Sequence, residues 1–313
     1  MTRHRVKLIV NPNADLGRAW QAAADLRPIV DLFGGADWSG TVYPTHASEL
    51  AYQAACDGYE LVIAAGGDGT VHEVVNGLMA APIESRPYLG IVPLGSGNDF
   101  AHAVGMDKRP GEALRQIFTG QPRQVDAGRL VDDQGRIEYW NNTVGIGFDT
   151  TVTIRSRRFR MASGFLIYLL AVMQTIILDH ESPLMQIQTD HEGWQEKTLM
   201  LVVCNGGREG GGFKVAPQAK VDDGVLLYVG IQQVSRPMMF RLLPEVMKGT
   251  HARFKQVRMG ECRVLSLKSD RPLYIHTDGE IFSGFGMNVR QVSFEILPGA
   301  LQVMTTSSSA TFS

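Results

Sequence analysis

Short apolar runs alternate with helical patterns over residues 1–124 of the chain. The apolar runs predict strands at 6–10, 38–43, 61–65 and 89–93. Apolar residues recur at helical spacing over 17–33 and 47–56, and again after polar turns at 66–70 and 95–99. Strands that are separated by helices pair in parallel. We therefore predict an N-terminal α/β domain with a doubly wound parallel sheet over 1–124.

The pattern changes near Pro122. Short, strand-like runs follow at 139–144, 184–189, 198–204, 225–231 and 263–268. Two longer patterns, at 161–178 and 236–248, have helical spacing. Glycine turns separate many of the short runs. This arrangement predicts a C-terminal antiparallel β-sandwich domain with helical insertions over 125–297.

The glycine-rich turn at 66–70 carries the strongest chemical signal. Its three glycines stand between a buried strand and a helix start, where backbone N–H groups and the helix dipole attract phosphate. Asp68 within this turn suggests a divalent cation that bridges its carboxylate to the phosphate. A tight turn with a capping Asp or Thr is the alternative. Asn11 and Thr45 also follow strands, so these turns are expected to converge on one crevice.

Composition narrows the choice of partners and location. The 313-residue chain is 44% apolar and has a net charge of −2, which gives no global field for nucleic acid. Its three cysteines have neither zinc spacing nor a disulfide framework, which favours a reducing, cytoplasmic location. The apolar stretch after the basic start is too short for a signal peptide. An exposed edge strand in the second domain would allow a homodimer.

One strongly apolar segment, 164–178, is shorter than the ~20 residues that a membrane span needs. Two interpretations stay open. It is a buried core helix, or it lines an apolar pocket beside arginines that face an anionic membrane surface. Those arginines are Arg155, Arg157, Arg158 and Arg160. Charge reversal at Arg157 and Arg158 is predicted to weaken binding to anionic vesicles.

Several motifs together resemble the diacylglycerol kinase catalytic family, which includes sphingosine kinases and soluble bacterial lipid kinases. They are Asn11-Pro12, the 66–70 turn with Asn76-Gly77, 93–101, Val125-Asp126, 142–149 and Asp278-Gly279-Glu280. The resemblance covers nearly the whole chain. It implies a two-domain kinase with ATP in the interdomain cleft and a last strand, about 298–306, that returns to the first domain.

The resemblance also implies a role for each matching position. Nucleotide contacts are implied for Asn11, Thr45, Gly66, Gly67, Asp68, Gly69, Thr70, Val71, His72, Glu73, Ser96 and Asn98. The resemblance implies that Asp68 and Asp99 bind the Mg²⁺ on the ATP phosphates, and that Asp126 is a third member of this acidic network. A structural Mg²⁺ site is implied for Lys220, Asp223 and Val225. Asp278 matches the general base, and Glu280 is its neighbour.

Two departures from the family pattern are visible. The opening loop reads Asn-Pro-Asn-Ala-Asp over 11–15, where the family usually has Asn-Pro-x-Ser-Gly, and Asp15 would repel a phosphate. Ser96 stands where threonine is commoner, and it keeps a hydroxyl.

Function is predicted as ATP- and Mg²⁺-dependent phosphorylation of a lipid hydroxyl at a membrane surface, with diacylglycerol as the first candidate. An NAD kinase-like or other small-molecule kinase, and a non-catalytic lipid-binding regulator, remain alternatives. Taken alone, Asp278-Gly279 is also a common hairpin turn. His276 lies on the same strand face as Asp278, so it is either structural or a substrate contact.

Overall fold

The computed structural model describes residues 5–17, 19–157, 165–178 and 182–306. The chain divides into two compact units. The first comprises Met1–Val125 and Gly299–Ser313, and the second comprises Asp126–Pro298.

The first unit is built on a parallel sheet with helical connections. Its elements are β1 (Val6–Val10), α1 (Ala19–Leu32), β2 (Asp37–Gly40), α2 (His46–Cys56), β3 (Leu61–Gly66), α3 (Asp68–Ala80), β4 (Tyr88–Pro93), α4 (Asp99–Ala103) and α5 (Pro110–Thr119). The strands lie in the order β4, β3, β1, β2, and all of these pairs are parallel. Every residue of β3 is buried, as expected of a strand that is covered on both faces.

The second unit is mostly antiparallel. Strand β5 (Gln121–Asp132) leads into it. There follow β6 (Ile137–Trp140), β7 (Thr143–Gly147), α6 (Phe148–Ser156), α7 (Phe165–Leu178), β8 (Leu184–Thr189), β9 (Gly193–Cys204), β10 (Leu226–Gln232), α8 (Arg236–Lys248), β11 (Val257–Cys262), β12 (Val264–Ser269), β13 (Ile275–Thr277), β14 (Glu280–Ser283) and β15 (Gln291–Thr305). The end of β15 lies in the first unit, where Val303 pairs in parallel with Leu89 of β4.

Strand β9 belongs to both layers of this sandwich. Its first half pairs with β8, and its second half pairs with β7 and β10. One apolar core lies between the layers and contains Trp140, Leu201 and Phe294. A second core lies under α6, α7 and α8, where Val202 and Val229 meet Leu242. The helices are therefore held by the face of β9 and β10 that the first core does not use.

The predicted fold class is confirmed in both parts of the chain, although several predicted elements were wrong in detail. The 139–144 run is two strands, because Asn141 and Asn142 interrupt it. Strand β2 ends at Gly40, whereas the predicted strand extended to Tyr43. The sequence offers Thr45 or Ser48 as the cap of α2, and Thr45, at the N-cap position, makes no side-chain capping hydrogen bond. The predicted 161–178 helix is described from Phe165 onward, and residues 158–164 lie outside the described part.

Within the described ranges, none of the helices combines the length and the apolar character that crossing a membrane requires.

Candidate functional site

The two turns that follow β3 and β4 leave the parallel sheet side by side, because Gly66 pairs with Pro93. Gly67 and Gly95 then bring the two backbones into contact. A Cβ at Gly67 would lie 3.2 Å from the Gly95 Cα, and a Cβ at Gly95 would overlap the Gly67 Cα. Glycine at both positions therefore allows the turns to pack against each other.

Asp68 joins these turns through its side chain. Its Oδ1 accepts the backbone N–H of Asp99 at 2.7 Å, so it stabilises the start of α4. The Oδ2 atoms of Asp68 and Asp99 lie 2.7 Å and 3.7 Å from the position that a Cβ at Gly97 would occupy. Two carboxylates thus face the space that the missing side chain leaves, and hard divalent cations prefer such oxygen ligands.

The opening loop and the β4–α4 turn are fixed by side-chain amides. The Asn11 Nδ2 donates to the Thr70 hydroxyl at 3.1 Å. Asn98 closes its own turn, since its Oδ1 accepts the Gly95 N–H at 3.0 Å and its Nδ2 donates to the Gly95 carbonyl at 2.6 Å. Ser96 is exposed at the tip of this turn, and Gly69 is partly exposed on the first turn of α3.

The remaining residues with predicted nucleotide roles have structural contacts. The Glu73 carboxylate accepts the N–H groups of Thr45 and Ala47 at 2.9 and 3.0 Å, and so caps the start of α2. The side chains of Val71 and His72 are buried. These three residues therefore tie α3 to α2 and to the core.

In the second unit, Asp278 lies on the tight turn between β13 and β14. Both Asp278 and Gly279 have positive φ, 51° and 87°. The Asp278 Oδ1 accepts the N–H groups of Asn142 and Thr143, at 2.8 and 3.0 Å, and its Oδ2 accepts that of Asn141 at 3.0 Å. The predicted hairpin turn is present, and three backbone donors orient the Asp278 carboxylate.

Arg157 holds the other side of this turn. Its Nη2 donates to the Glu280 Oε2 at 2.7 Å and to the Gly279 carbonyl at 2.9 Å. Arg157, one of the arginines that the membrane interpretation places at a lipid surface, has a side chain that is 49% exposed and paired with Glu280. Arg155 is partly buried, while Arg158 and Arg160 lie outside the described residues.

His276 is fully buried between two acids. Its Nε2 lies 2.9 Å from the Glu209 Oε1 and 3.2 Å from the Asp149 Oδ2. Burial by itself lowers the pKa of His276, but the charge of Glu209 and the hydrogen bonds to both acids raise this pKa to about 10. These contacts identify His276 as part of a buried charged cluster.

Asp126 lies against the turn that precedes β10. Its Oδ2 accepts the Gly224 N–H at 2.7 Å. In the same turn, the Val225 N–H donates to the Asp223 Oδ1 at 3.2 Å. Partial burial raises the pKa of Asp223; the Val225 N–H and Lys220 lower it, and Asp126 and Asp222 raise it further. A cation near these carboxylates would relieve their mutual repulsion.

An apolar cavity lies between the helices of the second unit and the β9–β10 face. It holds about 600 Å³ of empty space, part of which is open to solvent. Val172 and Ile176 of α7 form one wall, and Leu242 and Val246 of α8 form another. Among the described residues that line it, the charged ones are Asp149 and Glu209. The described part of α7 thus lines a pocket.

Two family models match the chain. Residues 5–130 match the diacylglycerol kinase catalytic domain, and residues 142–305 match the YegS C-terminal NAD kinase beta sandwich-like domain. The chain belongs to the diacylglycerol kinase catalytic family. This membership confirms the resemblance seen in the sequence and the prediction of an ATP-dependent phosphotransferase.

Relatives within the family are similar along most of their length. A probable lipid kinase YegS-like protein of Chromohalobacter salexigens is 33% identical over 267 residues, covering 84% of this chain and 82% of the relative. A diacylglycerol kinase of Mycobacterium tuberculosis is 29% identical over 314 residues, covering 96% and 94%. The crystal structure of a putative diacylglycerol kinase from Bacillus anthracis covers 99% of this chain and 100% of its own, with 22% identity and a TM-score of 0.79, which shows a shared fold.

Sequence reasoning missed the pairing of Asp149 and Glu209 with His276. Asp149 lies in the 142–149 motif, for which the resemblance implies no role at this position. Glu209 interrupts the glycine-rich stretch 206–212, and an acid in such a stretch was a signal for a buried polar site. Glu73 was assigned to the nucleotide, whereas its carboxylate accepts N–H groups at the start of α2.

Proposed function

We propose that this family member transfers the γ-phosphoryl group of ATP to a lipid hydroxyl, with Mg²⁺ on the phosphates and diacylglycerol as the first candidate acceptor. The observation that carries the proposal is the pair of carboxylates, Asp68 and Asp99, facing the space beside Gly97 next to two glycine turns. The names of its relatives, which are lipid and diacylglycerol kinases, support the choice of a lipid.

In the proposed reaction the first unit holds the nucleotide. Backbone N–H groups of the turns at 66–70 and 95–99 bind phosphate oxygens, with help from Asn11, Ser96 and Asn98. Asp68 and Asp99 would hold Mg²⁺, which would supply positive charge against the phosphates. Because the Asp68 Oδ1 is already engaged by the Asp99 N–H, its Oδ2 is the atom assigned to the cation.

The second unit supplies the base in this proposal. Asp278 accepts the proton of the lipid hydroxyl as the phosphoryl group arrives. Three backbone N–H donors fix the orientation of its carboxylate before the acceptor binds, which reduces the cost of alignment. Glu280, held by Arg157, is assigned a supporting role on the same turn.

A second, structural Mg²⁺ is proposed at the turn before β10. The Asp223 carboxylate and the backbone carbonyls of Lys220 and Val225 are its assigned ligands. The raised pKa of Asp223, caused by partial burial and nearby acids, supports a cation there. Asp126, which was first assigned to the ATP-bound cation, is engaged by Gly224 of this turn.

The apolar cavity of the second unit is the proposed place for the hydrocarbon part of the lipid. Its described walls on α7, α8 and β9 are apolar, and Asp149 and Glu209 are the charged residues among those that line it. An apolar wall of this extent suits an acyl chain better than NAD, whose nucleotides carry charge and many polar groups. The cavity thus favours a lipid kinase over an NAD kinase-like enzyme.

The proposal is tested by incubating purified protein with labelled ATP, Mg²⁺ and, separately, vesicles containing diacylglycerol, monoacylglycerol or a sphingoid base, and NAD. We expect label in a lipid product and a requirement for Mg²⁺. Label in NAD alone, or turnover with no acceptor, would reject a lipid acceptor.

A pocket-filling variant links this activity to the cavity. Val172→Trp fills the cavity and is expected to abolish lipid phosphorylation while nucleotide binding persists. Ile137→Trp, at an exposed isoleucine of the same unit that does not line the cavity, is the matched control and should retain activity. Equal activity of the two variants would show that the lipid binds elsewhere.

A further inference from the structure

His276 connects the cavity to the turn that carries Asp278. On one side its Nε2 lies within hydrogen-bond distance of Glu209 and Asp149, which line the cavity. On the other side its Nδ1 accepts the backbone N–H of Gly279 at 3.2 Å. Gly279 directly follows the proposed base, so a single buried ring contacts both features.

The sheet makes room for this arrangement at Gly145. This glycine pairs with His276 across β7 and β13. A Cβ at this position would overlap the His276 Nε2 and the Asp149 Oδ2. The absence of a side chain at 145 is therefore what allows the imidazole and the Asp149 carboxylate to meet between the strands.

The Gly279 hydrogen bond determines which ring nitrogen carries the proton. An N–H donor at Nδ1 requires a lone pair on that atom, so the ring proton is on Nε2, where the two acids accept it. A metal ion on Nε2 would move the ring proton to Nδ1, where two N–H donors, that of the ring and that of Gly279, would face each other. The proton behind the raised pKa of His276 is shared by Nε2 and the two carboxylates that contact it, because the Gly279 donor leaves no place for a proton on Nδ1.

We propose that His276 is a positioning residue for phosphoryl transfer, held by Asp149 and Glu209 through Nε2 and fixing the Gly279 amide through Nδ1. Asp278 and Gly279 occupy the two central, positive-φ positions of a hairpin turn, and a bond to the Gly279 N–H limits how the Asp278 carboxylate moves. The proposal rests on the proposed function, because Asp278 must act in the reaction for its position to matter.

The test compares His276→Gln, which retains an acceptor, with His276→Leu, which does not. Hydrogen exchange of the Gly279 amide is expected to quicken in the Leu variant and to be partly restored in the Gln variant. The Leu variant should lose turnover by ~10- to 100-fold with the KM for ATP unchanged, as expected for a displaced catalytic group. His191→Leu, at an exposed histidine of the same unit, should change neither measurement.

A milder variant covers the case in which His276→Leu does not fold. Glu209→Gln keeps an oxygen that accepts the Nε2–H, so Gly279 protection should survive. The ¹⁵N spectrum of the wild-type ring should show Nδ1 unprotonated at neutral pH. A protonated Nδ1, or unchanged Gly279 exchange in His276→Leu, would overturn the proposal. Both readouts are independent of activity, so a wild-type protein that phosphorylates no lipid would reject the proposed function without deciding the role of His276.

Discussion

The two oxygens of the Asp68 carboxylate have different tasks. Oδ1 accepts an N–H at the start of α4, and Oδ2 faces the space beside Gly97, where the proposed cation binds. A substitution at Asp68 therefore changes both a helix start and a charge. Alanine removes both at once, and asparagine separates them, because its amide oxygen still accepts the Asp99 N–H.

We predict that Asp68→Asn abolishes turnover at saturating Mg²⁺ while the melting temperature changes little. Asp68→Ala should also abolish turnover and should in addition lose about 0.5–2 kcal/mol of stability, the usual effect of removing a helix cap. Turnover and thermal unfolding measured on both variants check this. Wild-type turnover in Asp68→Asn would show that its charge has no role in the reaction.

The Asp278 carboxylate also combines a structural role with a chemical one, but asparagine does not separate the two. An Asn at this position places an NH₂ group against at least one of the three backbone N–H donors that the carboxylate accepts. We predict that Asp278→Asn slows transfer by ~10²–10⁴-fold and destabilises the second unit by about 1–3 kcal/mol. Binding of a non-hydrolysable ATP analogue should be unchanged. A collapse of nucleotide affinity would show that Asp278 was assigned to the wrong task.

At the scale of elements, the nucleotide site depends on how closely two turns approach. Gly67 and Gly95 belong to different turns, and the pairing of Gly66 with Pro93 in the sheet places them in contact. A methyl group at Gly95 would overlap the Gly67 Cα, and this backbone atom cannot move aside without displacing its turn.

We predict that Gly95→Ala displaces the 66–70 turn and lowers turnover by roughly 10²-fold, the loss that ~1 Å of misplacement can cause. Stability should fall by about 1–3 kcal/mol through overpacking. Gly40→Ala is the matched control in the same unit, since a Cβ there meets nothing within 4 Å and its φ is not positive. Nucleotide affinity and turnover are measured on both, and equal values would show that the contact is dispensable.

Periodicity predicted the elements whose apolar spacing is regular, and α8 has the predicted bounds, 236–248. Periodicity did not predict the features that depend on contacts between residues far apart in the chain. The cap of α2 is Glu73, which lies 28 residues after Thr45 in the chain, so no local pattern at Thr45 could reveal it. The cluster of Asp149, Glu209 and His276 draws on three distant segments, and local spacing does not record which buried groups meet.

At the scale of the whole molecule, a lipid kinase has to reach a substrate that lies in a bilayer. The sequence suggested an arginine cluster for this contact, but Arg157 is paired with Glu280. Helix α7 offers another surface. Leu170, Met173 and Ile177 are 43%, 38% and 58% exposed, and their spacing places them on one face, separate from the face of Val172 and Ile176 that lines the cavity. Nearby α8 exposes Phe240 between Arg236 and Arg241.

We therefore predict that the exposed face of α7 contacts the membrane. Complete transfer of an Ile side chain out of water contributes about 1.5–3 kcal/mol to the free energy of membrane binding. Ile177→Glu should therefore weaken partitioning into anionic vesicles by about tenfold or more. Ile137→Glu, at an isoleucine of the same unit that is 51% exposed, is the matched control. Sedimentation with vesicles at low and high salt separates the apolar contribution from that of Arg236 and Arg241, because salt screens the charges and leaves the apolar contact. If Ile177→Glu sediments as the control does at both salt concentrations, the protein meets its lipid through another face.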